Sequence, residues 1–471
     1  MNHQERIGAF KMPPRKWLAS VASCTLALWT SAVAAQSPLS ESVPDPRSLG
    51  QFAALTVPGD GSPTGSSSIT PPNSTQPNAD GRLSLASLEA TALLNNPSIG
   101  RAAAAVSAAQ GAAVQAGLPF NPVVGYDGQQ LGSNGQAEQH GLMIGQEFRR
   151  HEKRALSREV ACREVRMAQY RLMAQRARVL TDCRTSFYRV LRAQRQIDMS
   201  TDLLRISEQA RKAAEALFSA KEVARTDVLQ AQIEVEVAQA GLQSARNQHA
   251  SAWSQLAAVT GQPDLAAEPL SGDLFGEAAQ LDFDPVLAWL RGQSPEIAEA
   301  IINVERARFQ LQRQEAEPLP NLSVQTLTNF VDNGIGGKPD AALAVSLPVP
   351  LLNRNQGAIQ QARYEVVVAQ RALAQLELAL QQRLAPVFER HDNARYLVEQ
   401  YGERILPAAA ESLELTQRTF ELGEISFLNL LVVQRSYRQQ QISYLDAAEQ
   451  LRISESEIDG MLLAGSLTTP P

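Results

Sequence analysis

The chain has 471 residues, and its 43 Lys and Arg against 49 Asp and Glu give a formal net charge of −6. This balance disfavours a basic nucleic-acid-binding surface, and three cysteines are too few for a disulfide-rich scaffold. The length allows two or three domains, and an apolar fraction of 44% is enough for a folded core.

The N-terminus has the pattern of a secretory signal peptide. Basic residues end at Lys16, an apolar stretch spans 17–29, and small residues at 32–34 offer a cleavage site. The predicted signal peptide therefore covers 1–35. Two alternatives stay open at this stage. The stretch is just long enough to be an uncleaved membrane anchor, and the residues before Cys24 resemble a lipoprotein box.

Residues 36–81 are rich in Pro, Ser, Thr, Gly and Asn and contain few large apolar side chains. Such a segment buries too little surface to offset the entropy lost on ordering. We therefore expect a disordered linker at 36–81.

The rest of the chain contains one sequence unit twice. Three anchors recur in the same order, namely Asn96–Ile99 as Ser294–Ile297, Leu142–Gln146 as Leu343–Leu347, and Phe218–Gln232 as Phe420–Gln434. Their offsets differ by only a few residues, which predicts an internal repeat. We place the two repeats at 82–262 and 282–463, with a linker rich in Pro and Gly at 263–281 and a tail at 464–471.

Each repeat is predicted to begin with short helices, Leu83–Asn95 and Pro97–Gly117 in the first, followed by two strands. The predicted strands are Val123–Gln130 and Gly141–Phe148 in the first repeat, and Leu322–Phe330 and Ala341–Pro348 in the second. Apolar residues alternate in these segments, whose length of about ten residues is what a tilted strand needs to cross a bilayer. Soluble hairpins give the same pattern, so both interpretations stay open here.

Long helices dominate the prediction. No Gly or Pro occurs from Gln146 to Ala240, and a single helix over Lys153–Phe218 would be about 100 Å long. In the second repeat, Pro386, Gly402 and Pro407 should bend the corresponding stretch. This pattern predicts either a long antiparallel coiled coil or a closed barrel of helices.

Motifs for catalysis or cofactor binding are missing from the sequence. The segment Gly334–Lys338 lacks the first Gly and the final Ser or Thr of a phosphate-binding loop, and its place between two strands predicts a hairpin loop. Cys162 and Cys183 would lie about 31 Å apart on one helix and cannot pair within it. We expect no enzyme activity, no cofactor and no metal site.

Two sequence patterns resemble the TolC-like outer-membrane efflux channels. One is the repeated Phe-x-x-(Lys/Gly)-Glu-x-x-x-x-(Asp/Asn)-x-Leu-x-x-Gln, and the other is Leu-Pro-Val-Pro-Leu-Leu-Asn-Arg-Asn-Gln-Gly at 347–357. The resemblance covers 82–463. Gln146-Glu-Phe with Lys153-Arg154 is similar to the heavy-metal-efflux, CzcC-like branch.

The resemblance implies a mainly α fold with a small membrane β-barrel contribution. Three chains would each give four strands to one outer-membrane barrel, and their helices would continue as a tube in the periplasm. The implied function is a passive, gated exit duct of a tripartite efflux system, with metal cations as one possible cargo. The implied partners are two further copies, a periplasmic adaptor, an inner-membrane transporter and outer-membrane lipid, without nucleic acid. A duct for protein secretion and a soluble periplasmic coiled-coil adaptor are the alternatives.

The resemblance also implies where the functional residues lie. The far tip would consist of two turns, Ala220–Thr226 and Leu422–Phe427. The residues expected to contact the adaptor are Lys221, Glu222, Val223, Gly423, Glu424 and Ile425. The two glutamates could equally be only solvated. Gly423 suits a left-handed turn, whereas Lys221 at the matching position should strain or alter it.

Asp227 and Asn429 are the candidate pore constriction. An acidic ring is implied at these positions, but the second repeat has Asn429 and Val432 in place of acids. Asp227 has an alternative role on the first turn of a helix, where the helix dipole favours a negative charge.

Overall fold

A computed structural model of the protein describes residues 83–132, 138–332 and 339–468, all within the compact unit Ser74–Pro471. Several predicted features lie outside these residues, namely the signal peptide 1–35 with Cys24, the linker 36–81, the loop Gly334–Lys338 and the last three residues of the tail.

In each half of the described chain, two short helices are followed by a β-hairpin and then by long helices. In chain order the elements are β1 (Leu83–Ser84), α1 (Leu85–Asn95), α2 (Pro97–Gly117), β2 (Val123–Gln129), β3 (Gln139–Phe148), α3 (His151–Ser219), α4 (Arg225–Thr260), β4 (Leu270–Ser271), α5 (Phe283–Gln293), α6 (Pro295–Glu315), β5 (Leu322–Asp332), β6 (Asp340–Ser346), α7 (Gln356–Gln400), a π-helical turn (Tyr401–Ile405), α8 (Leu406–Glu421) and α9 (Phe427–Asp459).

The prediction of very long helices is confirmed. Helix α3 runs for 69 residues without interruption, about 100 Å, because nothing in its sequence removes a backbone donor or adds flexibility. In the second repeat, Pro386 lies inside α7 without ending it. The irregularity comes instead at the π-helical turn that contains Gly402, and Pro407 follows at the start of α8.

The two hairpins form one antiparallel sheet of four strands in the order β2-β3-β5-β6. Strands β3 and β5 join the two repeats, with Leu142 opposite Thr328. A register shift between His140 and Gly141 marks a β-bulge near the loop end of β3. Both repeats therefore contain two short helices, a hairpin and a long helical pair, and the predicted mainly α fold with two repeats is confirmed.

Helix α3 forms the centre of the packing, since it contacts α1, α2, α4, α6 and α9. Midway along it, Val179, Cys183 and Phe187 are fully buried against Trp253 and Leu256 of α4. Towards the sheet the contact with α6 is polar, and Arg163 Nε lies 2.9 Å from Glu305 Oε2. The long helix is thus held by an apolar middle and by ion pairs nearer the sheet.

The segment between the repeats packs against this middle region. Strand β4 pairs in parallel with β1, Leu274 is buried, and the ring of Phe275 stacks on Tyr444 with centroids 4.6 Å apart. The guanidinium of Arg452 donates hydrogen bonds to the backbone carbonyls of Leu274, Gly276 and Glu277. The predicted linker 263–281 therefore has a fixed path over α9.

The described part of the tail is also anchored. The carboxylate of Asp182 on α3 accepts the backbone N–H groups of Gly465 at 3.0 Å and Ser466 at 2.6 Å. Gln175 donates to the carbonyl of Ser466 at 2.8 Å. Residues 464–468 thus bind along α3.

Candidate functional site

The two tip turns have the same backbone geometry. Lys221 donates its N–H to Phe218 at 2.9 Å and Glu222 donates to Leu217 at 3.0 Å. Gly423 and Glu424 repeat this pattern at 2.9 and 3.1 Å. This pair of bonds is the Schellman motif, which satisfies the last carbonyls of a helix.

Both residues at the left-handed position have positive φ, +64° at Lys221 and +77° at Gly423. Lys221 therefore does not alter the turn but adopts the strained geometry. A Cβ added to Gly423 would lie 3.0 Å from Glu222 Oε2, so the two turns lie side by side.

The residues expected to contact a partner differ in exposure. Lys221, Glu222 and Glu424 are exposed, and none of them forms an ion pair within the described part of the chain. Val223 and Ile425 are half-buried, and Ile425 packs on an apolar cluster beneath the turns. These residues therefore present one cation and two carboxylates to solvent on a rigid support, and the exposed Arg225 adds a second cation to the tip.

That support is an apolar cluster of α3, α4, α8 and α9. Phe420 and Phe427 pack edge to face with ring centroids 5.7 Å apart, and both are fully buried. Phe218 occupies the position of Phe420 in the first repeat but is 43% exposed, against 1% for Phe420. The second-repeat turn is thus clamped by aromatic packing that the first lacks at this position.

The candidate constriction residues occupy the first turns of α4 and α9. One carboxylate oxygen of Asp227 accepts the N–H of Ala224 at 3.3 Å, which caps the start of α4. Asn429 is exposed, and its own N–H donates to Ser426 at 3.1 Å. Asp227 therefore caps the start of α4, and the pore position of Asp227 and Asn429 stays a prediction.

The sheet has two chemically different faces. One face carries exposed apolar side chains, namely Val124, Tyr126, Leu142, Ile144, Phe148, Leu322, Leu343 and Val345, with Gln146, Thr326 and Thr328 among them. The other carries mostly small and polar residues, namely Gly125, Asp127, Gly141, Gly145, Ser323, Gln325, Asn329, Asp340, Ala342 and Ala344, together with the apolar Val123, Met143 and Leu327. A Cβ added to Gly145 would lie 3.4 Å from Gln325 Cγ, which confirms this shared face. Apolar outside and polar inside is the arrangement of a membrane strand.

An exposed apolar stripe also follows α4 near the tip. Leu229, Ile233 and Val237 are spaced by one helical turn and line a shallow groove. The sheet likewise has two unpaired edges, β2 and β6, within the described residues. Helix bundle and sheet thus both leave surface for a neighbour.

Within residues 83–132, 138–332 and 339–468, the length and hydropathy of the helices and the grouping of His, Cys, Asp and Glu side chains bear on membrane crossing and metal binding. No helix among the described residues is long and apolar enough to cross a membrane. The same residues contain no group of three or more His, Cys, Asp or Glu side chains placed to hold a metal ion.

The burial of Lys153 is not predicted by the sequence. Its Nζ donates a hydrogen bond to the backbone carbonyl of Glu317 at 2.8 Å, where α3 begins next to the sheet. A lysine at the start of a helix gives no sequence signal of burial.

Comparison with known proteins assigns the family. The model of the outer membrane efflux protein family matches residues 88–262 and 287–462, more than half of the chain. The cobalt-zinc-cadmium resistance protein CzcC of Cupriavidus metallidurans is 25% identical over 328 residues, which are 66% of this chain and 73% of that protein.

Solved structures show the same fold. The outer-membrane channel OprN superposes with a TM-score of 0.68 at 17% identity, over 81% of this chain and 90% of OprN. The outer membrane protein VceC of Vibrio cholerae superposes with a TM-score of 0.67 at 18% identity, over 81% of this chain and 96% of VceC. OprN is an outer-membrane channel and VceC an outer membrane protein, and the matching family is one of efflux proteins, not of enzymes. The chain therefore belongs to the outer membrane efflux protein family, and it is a protein of the outer membrane.

Proposed function

We propose that three copies of the chain form the exit duct of a tripartite efflux system. The observation that carries this proposal is the four-stranded sheet with one apolar face and two unpaired edges. In lipid an open sheet edge leaves backbone groups without partners, so the sheet must close with further copies. Three sheets give a closed barrel of twelve strands, and the small and polar face then lines the lumen.

The helical part supports the same assembly. The stripe of Leu229, Ile233 and Val237 is exposed in the single chain and shares its groove with Arg211 of α3, and the next copy would cover it. These side chains are 43–60% exposed in the single chain, so covering the rest is worth roughly 1 kcal/mol for each. The helices then continue the lumen from the sheet to the tip.

We further propose that the tip turns bind the periplasmic adaptor. The exposed Lys221, Glu222 and Glu424 are fixed by the two turns and have no ion-pair partner among the described residues. Charged groups held in place without partners suit recognition of a complementary surface. An inner-membrane transporter coupled to that adaptor would supply the energy, since this chain provides only a passage.

Divalent metal cations are the proposed cargo. This proposal is supported by the similarity to CzcC, a cobalt-zinc-cadmium resistance protein. The test measures cadmium, zinc and cobalt retained by cells that lack the chain and by cells that regain it. Restored efflux would support metal cargo. Equal metal retention in both, with a stable outer-membrane trimer, would overturn metal cargo and favour another passenger, such as a secreted polypeptide.

The same cells test the tip. Glu424→Lys should abolish metal efflux without changing the mass of the detergent-extracted trimer, because the altered charge lies outside the assembly contacts. Glu208→Lys, an exposed acid on α3 away from the turn, is the matched control and should leave efflux unchanged. Normal efflux by the Glu424 variant would contradict a role for this turn in partner binding.

A further inference from the structure

One row of residues crosses the sheet near its loop end. The strand register places Asp127 opposite Gly141, Gly141 opposite Asn329, and Asn329 opposite Asp340. All four belong to the small and polar face, because directly opposed residues project their side chains to the same side. The row thus carries two carboxylates and one amide, and it has no side chain at the glycine.

Asn329 is the unusual member of this row. It is only 5% exposed, and its Nδ2 donates to Asp340 Oδ1 at 2.8 Å. Its Oδ1 is buried and has no hydrogen-bond partner within the described residues. A buried amide oxygen without a donor costs about 1–3 kcal/mol. The unpaired Oδ1 therefore points to a ligand.

The orientation of this oxygen is set by Gly141. A Cβ added to Gly141 would overlap Asn329 Oδ1, so the oxygen lies in the space that the missing side chain leaves. Because Nδ2 is turned towards Asp340 and Oδ1 lies over Gly141, Oδ1 is on the side of Asn329 that is nearer to β2 and Asp127. Asp127 accepts one hydrogen bond, from Gln129 Nε2 to Oδ2 at 2.9 Å. A carboxylate has lone pairs for further ligands.

We propose that this row binds one hard divalent cation, with Ca²⁺ as the probe, over Gly141. Asp127 and Asn329 Oδ1 supply oxygen ligands, and the adjacent Asp340 brings the local charge to −2. Oxygen ligands without His or Cys select Ca²⁺ or Mg²⁺ over softer metals. The site thus differs in chemistry from the proposed cargo. The position of this site at the outer mouth of a duct depends on the proposed function. The binding of the cation to the chain does not depend on it.

The test measures equilibrium binding of radioactive Ca²⁺ to the full chain extracted in detergent. The wild type should bind about one Ca²⁺ per chain, and Asp127→Asn should weaken binding by at least about tenfold through loss of a charged ligand. Asn329→Leu keeps the size and the net charge but removes Oδ1, and it should weaken binding to a similar degree. Since the two variants act at different strands, failure of one to fold leaves the other as the test.

Glu147→Gln is the matched control, since Glu147 lies on the same face at the helix end of the sheet. It should bind Ca²⁺ like the wild type. The proposal is overturned if the wild type binds no Ca²⁺, if Asp127→Asn and Asn329→Leu bind normally, or if Glu147→Gln loses as much affinity. Because the assay requires no conduction, such results would leave the assignment as an exit duct intact.

Discussion

Lys221 and Gly423 occupy matching positions in the two tip turns and share a left-handed backbone, with φ of +64° and +77°. The hydrogen bonds that end their helices are also the same. Glycine adopts this conformation freely, whereas a residue with a Cβ pays about 1–2 kcal/mol. The first-repeat turn is therefore strained by its lysine and the second is not.

This strain predicts opposite effects of exchanging the two residues. Lys221→Gly should raise the midpoint of thermal unfolding of the detergent-extracted protein, and Gly423→Lys should lower it, each by an amount equivalent to about 1 kcal/mol. Gly241→Ala is the control for a glycine without a positive φ, because it lies inside α4 with open space around it. It should be stabilising by up to about 1 kcal/mol. A lower midpoint for Lys221→Gly would contradict the left-handed assignment.

Adjacent residues on β6 test the two faces of the sheet. Leu343→Lys places a charge on the apolar face and should reduce the fraction of chain assembled in the outer membrane, since a lysine facing lipid costs about 2–4 kcal/mol near the bilayer centre. Ala344→Lys, one residue further on, points to the other face and should assemble normally. Membrane fractionation measures both. Equal loss for the two variants would mean that the faces are not distinct.

The hydrogen bonds of Arg452 are expected to stabilise the protein by fixing the segment between the two repeats. Its guanidinium reaches three backbone carbonyls and the carboxylate of Glu455 at 2.7 Å. Arg452→Lys cannot supply this planar set of donors and should destabilise the protein by about 1–3 kcal/mol, measured by denaturant unfolding. Arg195→Lys, at an exposed position on α3, should be neutral. The assignment fails if the two variants unfold at the same denaturant concentration.

Cys183 should resist alkylation in the folded protein. Burial, and to a smaller extent the nearby Glu89, raise the pKa of its thiol to about 12. Because the thiolate is the reactive form, raising the pH from about 7 to about 9 should leave Cys183 unlabelled, whereas unfolding should expose it. Cys162 is only half-buried and provides the internal comparison. Mass spectrometry of the two peptides gives the result, and rapid native labelling of Cys183 would refute its burial.

Much of the fold follows from local sequence chemistry. The absence of Gly and Pro after Gln146 predicts the unbroken α3, and alternation of apolar residues predicts all four long strands to within a few residues. The two tip turns follow from the repeat. The role of the site residues is harder to predict from the sequence. Asp227 suits both a pore gate and a helix cap, and its hydrogen bond with the N–H of Ala224 is seen only in the structure.

Other features depend on contacts between distant parts of the chain. Phe218 and Phe420 occupy the same place in the repeat, yet only Phe420 is buried, since four helices converge on it. The pairing of β3 with β5 and its bulge at Gly141 set which residues share a row. A shift of one residue would turn Asn329 to the other face. The row from Asp127 to Asp340 therefore cannot be derived from sequence spacing.

The sequence by itself determined the element types, the duplication and the amphipathic strands, because these depend on residues near one another in the chain. The tertiary structure decided the register of the sheet, the burial of Lys153 and Phe420, and the orphaned oxygen of Asn329. Those properties arise when segments more than a hundred residues apart come into contact, and the energies that select among such contacts are not encoded in any local pattern.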